Sequence, residues 1–246
     1  KAGQFDKAVS VAGSISDDSK KALALSDIAK ELAKVGQFSK ALNLINKKTD
    51  PYFTASILIS IHQGYIESNK KIDDNCKGLL EDIYAKIYIN KIESVKPVFS
   101  YPLSEIDTTF LSYAEKAADS ISSYSDEVFT LKLIAVEYAK SGQTQKALLI
   151  FDKAVTVAGS ISDDSKKAKA LIDIVVELAK AGQFDKALNV AGSISNDYSK
   201  AWALSDIASE LAKAGQLDKA FDVAGSISDD SKKAWALIDI VVELAK

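Results

Sequence analysis

The chain has 246 residues, and 31 basic residues against 34 acidic ones give it a formal net charge of −3. Every basic residue is a lysine, and a nearly neutral chain without arginine is poorly suited to phosphate, so we expect no nucleic-acid partner. The single Cys and the single His exclude an internal disulfide framework and a multi-histidine metal site.

The sequence predicts neither a signal peptide nor a membrane span. It opens KAGQFDKAVS without an apolar run, and its most apolar stretch, ASILISI at 55–61, is far shorter than the roughly 20 residues that span a bilayer. We therefore expect no membrane partner and favour a cytoplasmic location, with a removed leader left open. The absence of Met predicts that the chain is processed or is a slice of a longer protein.

Two short strings recur along the chain, 33 residues apart in the clearest copies. AGQFDKA and its variants begin at residues 2, 35, 181 and 214. GSISDDSKKA and one variant begin at Gly13, Gly159, Gly192 and Gly225. Self-similarity at a fixed period indicates a protein built by copying one structural unit.

The sequence of each unit predicts a longer helix followed by a shorter one. Over 199–225 the apolar residues of the first helix follow i, i+3, i+4, i+7 spacing. Gly215 ends that helix because glycine tolerates the left-handed conformation, and Gly225 ends the second helix. The Ser and Asp residues of SISDDSKK are expected to cap the next helix. Recurrent alanines permit close packing of the paired helices; in this unit they are Ala208, Ala212, Ala220 and Ala224.

In chain order, N-terminal repeats occupy 1–69, a divergent segment occupies 70–107, and C-terminal repeats occupy 108–246. The divergent segment predicts one long helix that starts at Ile72 and ends at Lys91 or Ser94.

A loop with two prolines is predicted at 96–104, after the long helix. The divergent segment is either a decayed repeat with a surface loop or an insert that shapes a binding surface. Further on, Gly142 and Gly182 stand 40 residues apart, which predicts a longer second helix over 144–158.

These helical pairs resemble tetratricopeptide repeats. Residues at the family's fixed offsets are Leu204, Ile207, Ala208, Leu211, Gly215 and Ala220, and again Leu131, Ile134, Ala135, Tyr138, Gly142 and Ala147. The resemblance implies an all-α fold, a right-handed superhelical α-solenoid of stacked antiparallel helix pairs with about 13 helices, as a single domain over 1–246. The period of 33 rather than 34, and the lack of a proline between repeats, leave armadillo-like and other helical arrays open.

No catalytic constellation is recognisable in the sequence. His62 replaces the small residue of other repeats, and a catalytic role would need a nucleophile or an acid beside it, so we expect a packed histidine. Cys76 is expected to fill a helix face. The Asp pairs at 17–18, 163–164 and 229–230 lack the alternating ligands of a calcium loop, which favours helix capping. We therefore expect no catalytic residue, metal or cofactor.

An acidic pattern repeats in the first helices of the units. Asp and Glu stand four residues apart, and Lys follows three residues later. The pattern is either a solvated stripe with modest ion pairs or an acidic ladder that selects a basic partner. The acidic pairs are Asp27/Glu31, Asp173/Glu177, Asp206/Glu210 and Asp239/Glu243, followed by Lys34, Lys180, Lys213 and Lys246.

In tetratricopeptide arrays the first helix of each unit lines a concave groove, and the resemblance implies the same here. Exposed aromatic and β-branched side chains at these positions suit partner contacts. For Trp202 and Trp235 the alternative is packing across the junction between units. The implied binding residues are Phe129, Lys132, Val136, Lys169, Ile172, Val176, Trp202, Ser205, Ser209, Trp235, Ile238 and Val242.

Two functions follow from these features. The first is a non-enzymatic scaffold that binds a protein or peptide, of basic or amphipathic character, in the concave groove. The second is a structural segment that is a slice of a longer array or self-associates end to end. Joining Lys246 to Ala2 would recreate the internal junction ELAKAGQ, and no polar capping helix is recognisable at either end.

Overall fold

The computed structural model describes residues 2–45, 49–68, 70–72, 74–89 and 109–245, and these residues form thirteen α-helices and no strand. The all-α class is therefore confirmed for the described residues. The helices are α1 (Ala2–Gly13), α2 (Asp18–Lys34), α3 (Phe38–Leu42), α4 (Pro51–Ser68), α5 (Asp74–Ile89), α6 (Thr109–Ala118), α7 (Tyr124–Lys140), α8 (Thr144–Gly159), α9 (Asp164–Lys180), α10 (Phe184–Gly192), α11 (Asp197–Lys213), α12 (Leu217–Gly225) and α13 (Asp230–Leu244).

Two of the sequence predictions concern helix length. α8 runs from Thr144 to Gly159, as the 40-residue spacing predicts. α5 runs from Asp74 to Ile89 and confirms a helix within the divergent segment. The predicted end of that helix at Lys91 or Ser94 and the proline loop at 96–104 lie outside the described residues.

Four long helices, α2, α9, α11 and α13, begin with the same kind of cap. The residue before each helix has an extended backbone, and its side chain accepts a hydrogen bond of 2.8–2.9 Å from the backbone N–H three residues later. This bond satisfies a donor that the first helical turn leaves without a partner, and it contributes about 1 kcal/mol. The predicted capping role of the Asp pairs is confirmed; the caps are Asp17, Asp163, Asn196 and Asp229.

The long helices α2, α7, α9 and α11 are each followed by a glycine in the left-handed region. After α11, Gly215 has a φ of 74°, and its N–H donates to the carbonyl of Ala212 at 2.9 Å. The N–H of Gln216 donates to the carbonyl of Leu211 at 2.9 Å, which completes the hydrogen-bond pattern of a Schellman motif. The second helices end differently, since the hydroxyl of Ser226 donates to the carbonyl of Val223 after α12.

The chain divides into two compact units. Unit 1 comprises Lys1–Ser122 and Lys140–Ala147, and unit 2 comprises Ser123–Ala139 and Leu148–Lys246. The single domain over 1–246, with its parts at 1–69, 70–107 and 108–246, stays a prediction.

Unit 1 is built around α4. Both α2 and α6 pack against α4, and α5 packs against α3 and α6. The rings of Phe38, Tyr65 and Phe110 form a cluster with centroids 5.7–6.3 Å apart, which joins α3, α4 and α6. Three apolar side chains of α4 are fully buried: Ala55, Leu58 and Ile61.

Gly64 allows α2 and α4 to approach each other closely. A Cβ atom at this position would collide with the backbone carbonyl of Lys30 and would lie 2.7 Å from the Cβ of Ala33. The site therefore requires glycine in the interior of a helix, although glycine lowers helix propensity there.

Unit 2 repeats one arrangement. The helices α9, α11 and α13 begin 33 residues apart, and α11 packs against both of the others. α10 packs against α9 and α11, and α12 packs against α11 and α13. Fully buried alanines allow this close packing, as the sequence predicts; among them are Ala208, Ala220 and Ala224.

Candidate partner-binding surface

All twelve predicted binding residues lie on α7, α9, α11 and α13, within unit 2. The sixth residue of each of these helices is exposed to solvent. Trp235 is 60% exposed and Trp202 is 43% exposed, and Phe129 and Lys169 are exposed as well. Large rings exposed at the same position of three helices are candidates for anchoring a partner, because aromatic residues dominate binding energetics.

The ring of Trp202 packs against a lysine of the next long helix. The ammonium of Lys232 lies 3.3 Å from the centroid of the Trp202 ring and 5.2 Å from that of Tyr198, and Lys232 is only 7% exposed. The two rings also meet edge to face, with centroids 6.4 Å apart. Trp202 thus packs across the junction between α11 and α13, and part of its ring still faces solvent.

Sequence reasoning missed the roles of Tyr198 and Lys232. A usable signal was present, since Lys232 is the third residue after the cap Asp229 and stands 30 residues after Trp202. An aromatic residue in one long helix and a lysine in the first turn of the next are therefore expected to meet across the junction.

A second cation–aromatic contact lies at the junction of α7 and α9. The ammonium of Lys132 is 4.9 Å from the centroid of the Phe129 ring and 3.8 Å from the carboxylate of Asp173. Lys132 is half-buried. The ammonium of Lys132 therefore interacts with neighbours within unit 2, and the ring of Phe129 stays exposed.

The remaining predicted binding residues are the ninth and thirteenth residues of these four helices, and they are not all open to solvent. Ser205 and Ser209 of α11 are buried, and the hydroxyl of Ser209 donates to the carboxylate of Asp239 on α13. These small side chains fill the contact between two helices, so the prediction that a partner touches them needs correction. Of the other residues at these positions, Val136, Ile172 and Val176 are half-buried and Ile238 and Val242 are exposed.

Part of the acidic pattern is used in local ion pairs. Lys34 lies 2.7 Å from Glu31, Lys180 lies 3.0 Å from Glu177, and Lys213 lies 2.7 Å from Glu210. The hydrogen bond that Lys34 donates to Glu31 raises the pKa of Lys34, and the one that Lys213 donates to Glu210 raises the pKa of Lys213. These pairs are exposed and contribute little to stability. Lys246 lies outside the described residues.

The carboxylate of Asp206 is less well compensated. Burial raises the pKa of Asp206, and the nearby charges of Glu210 and Asp239 raise it further, against the opposing charges of Lys180 and Lys213. A raised carboxyl pKa means that the site disfavours further negative charge. At Asp206, burial and two neighbouring carboxylates therefore outweigh two lysines.

The remaining chemistry-bearing residues pack in unit 1. His62 is fully buried, and its Nε2 lies 3.2 Å from the hydroxyl of Ser141. Cys76 is buried with its Sγ 3.2 Å from the hydroxyl of Ser39. Among the described residues, no group of three or more His, Cys, Asp and Glu side chains is arranged to hold a metal ion, and no helix is long and apolar enough to cross a membrane.

No protein-family model matches the sequence, and a search of curated proteins found no match. Among solved structures, the chain is similar to the crystal structure of Ton1535 from Thermococcus onnurineus NA1, with 16% identity over 96% of this chain and 83% of that chain. The TM-score of 0.26 is too low for this likeness to support a conclusion on fold or function.

Proposed function

We propose that the chain is a tetratricopeptide-like, right-handed α-solenoid of stacked antiparallel helix pairs. The support is the 33-residue recurrence of long and short helices, the buried alanines, and the packing of α10 against both α9 and α11. A helical pair with so small a core gains stability mainly from its neighbours, which is the principle of a solenoid.

Within that architecture, the protein acts as a non-enzymatic scaffold that binds a basic amphipathic peptide or helix along the concave groove. The observation that carries this proposal is the row of exposed rings, Phe129, Trp202 and Trp235, at the same position of three long helices. An apolar partner face would cover the rings, and lysines or arginines of the partner would meet the carboxylate of Asp206, whose ionised form its surroundings disfavour.

Selection from a peptide library on the immobilised chain tests this proposal. We expect enrichment of basic peptides with an amphipathic helical pattern. The double variant Trp202→Ala, Trp235→Ala should weaken their binding at least tenfold, about 1.4 kcal/mol, because truncated aromatic anchors lose buried apolar area. Fluorescence anisotropy with a labelled peptide measures the dissociation constant.

Leu149→Ala is the matched control, since Leu149 is a large exposed side chain on α8, which does not carry any of the three rings. The affinity of the Leu149→Ala variant for the selected peptides should equal that of the unmodified chain. Enrichment of acidic peptides, or equal binding by the double tryptophan variant, would contradict the scaffold proposal.

A further inference from the structure

Two helices of unit 2 have nearly the same sequence and different surroundings. The segments 164–180 and 230–246 differ only at Lys169 and Trp235. In α9 the side chain of Val175 is completely buried, whereas its counterpart in α13, Val241, is 56% exposed. The same change from buried to exposed occurs from Leu171 to Leu237 and from Leu178 to Leu244.

Among the described residues, α9 and α13 differ in the helices that pack against them. α9 is packed against α10 and α11, which come after it in the chain. α13 has the preceding helices α11 and α12 as neighbours, and no described helix follows it. The apolar face that α9 buries against α10 and α11 is therefore open on α13.

The complementary surface is open in unit 1. α1 and α2 correspond in sequence to α10 and α11, since AGQFDKA occurs at both 2–8 and 181–187. Val11 of α1 is 60% exposed, whereas its counterpart Val190 in α10 is 6% exposed. Val11 belongs to a largely apolar groove between α1 and α2. Gln4 and Lys7 line it together with six apolar residues, Ala8, Val11, Ala12, Ile15, Ala24 and Ile28.

The counterparts of the six apolar groove residues are buried in unit 2, where α9 packs against α10 and α11. They have the same residue types as the groove itself: Ala187, Val190, Ala191, Ile194, Ala203 and Ile207. The chain thus contains one interface in a closed form within unit 2, and both halves of that interface in an open form.

We propose that two copies of this chain associate head to tail, with α13 of one copy packed into the groove between α1 and α2 of the next. In this contact α13 takes the place that α9 has against α10 and α11. The two surfaces are different from each other, so the contact is heterologous and every bound copy leaves one further open end. This association goes beyond the scaffold function. Of the residues that carry the scaffold proposal, it uses only Trp235.

Polar residues around the two surfaces are complementary as well. Lys20 is the third residue after the cap Asp17, as Lys232 is after Asp229. Trp235 of one copy would therefore stack on Lys20 of the next, in the way that Trp202 stacks on Lys232. Trp235 is the more exposed of the two tryptophans because it lacks this partner within the described residues.

A second complementary pair involves the short helices. Within the chain, Lys186 of α10 lies 2.7 Å from Asp152 of α8, and Lys40 of α3 lies 3.1 Å from Asp6 of α1. In each case a lysine meets an aspartate 34 residues before it. The same relation across the proposed contact would join Asp218 of one copy to the exposed Lys7 of the next.

Sedimentation velocity of the 246-residue chain, from about 1 µM to about 1 mM, tests the association. We expect the weight-average mass to rise with concentration. Val11→Glu and Val241→Glu should each weaken association at least tenfold, because each introduces a charge into one of the two apolar surfaces. Both valines are exposed in the isolated chain, so circular dichroism should show unchanged helix content.

Mixing the two variants separates this contact from any symmetric one. The Val11→Glu copy retains an intact α13 and the Val241→Glu copy retains an intact groove, so the mixture should form a 1:1 dimer and nothing larger. Leu149→Glu, which places the same charge on α8, should associate like the unmodified chain.

Asp218→Lys should weaken association, and Lys7→Asp in the same chain should restore it.

Tryptophan fluorescence gives an independent readout. Trp202→Phe leaves Trp235 as the single tryptophan of the chain, and its quenching by acrylamide should fall as the protein concentration rises. A monomer at every concentration, association that survives both glutamate substitutions, or a mixture that forms no dimer would each overturn the proposal. Peptide binding by the Val11→Glu variant should be unchanged, so failure of this contact and failure of the scaffold function are distinguishable.

Discussion

Units 1 and 2 contain related helices but differ in how those helices are held. Unit 2 uses the same cap, the same glycine turn and the same buried alanines in successive copies. Unit 1 has contacts that do not occur at the matching positions of unit 2. One is the ring cluster of Phe38, Tyr65 and Phe110, and the other is the close approach of α2 and α4 at Gly64. We therefore expect copied contacts to be exchangeable between repeats, and we expect the contacts of the diverged repeat to depend on each other.

This comparison predicts its largest effect at Gly64. Gly64→Ala should lower the free energy of unfolding by about 2–3 kcal/mol, because the added methyl group forces α2 and α4 apart. Urea denaturation followed by circular dichroism measures the change. The matched control is Gly78→Ala on α5, where a Cβ meets nothing within 4 Å, and we expect stabilisation of up to about 1 kcal/mol from helix propensity. Equal effects of the two changes would show that close approach is not the reason for Gly64.

A smaller effect is expected at a cap of unit 2. Asn196→Ala should lower the free energy of unfolding by about 1 kcal/mol, because the N–H of Ser199 loses its acceptor at the start of α11. Asn196→Asp introduces the residue that caps α2, α9 and α13 and should keep the stability of the unmodified chain. Destabilisation by Asp as large as that by Ala would mean that the caps are not exchangeable between repeats.

The smallest effect is expected at Asp206. Burial and neighbouring carboxylates raise the pKa of Asp206, so its ionised form lowers the stability of the folded state at neutral pH. Asp206→Asn should therefore raise the free energy of unfolding at pH 7, by about 0.5 kcal/mol, the usual size at a partly exposed site.

The effect of Asp206 on the free energy of unfolding should depend on pH. The folded state binds a proton at Asp206 more tightly than the unfolded state, so the unmodified chain recovers stability as the pH falls through the raised pKa. The advantage of Asp206→Asn should accordingly shrink in urea denaturation near pH 4. Asp222→Asn, at an exposed position of α12, is the control and should show no comparable change between the two pH values.

Local features of the fold were predictable from the sequence. The caps Asp17 and Asp229, the turn at Gly215 and the length of α8 depend on residues within a few positions of each other, and each prediction is confirmed. The candidate site was predictable only in part. The exposure of Trp202 and Trp235 agrees with the pattern, but burial of Ser205 and Ser209 depends on how closely α11 and α13 pack.

The sequence by itself determined which segments are helical and where the copies begin, because helix periodicity, capping and glycine turns are local properties. Only the tertiary structure decided which copy of an identical face is covered. Val175 and Val241 occupy the same place in almost identical helices, yet one is buried and the other is exposed. Burial is a property of what packs against a side chain, and the repeat unit alone does not contain that information.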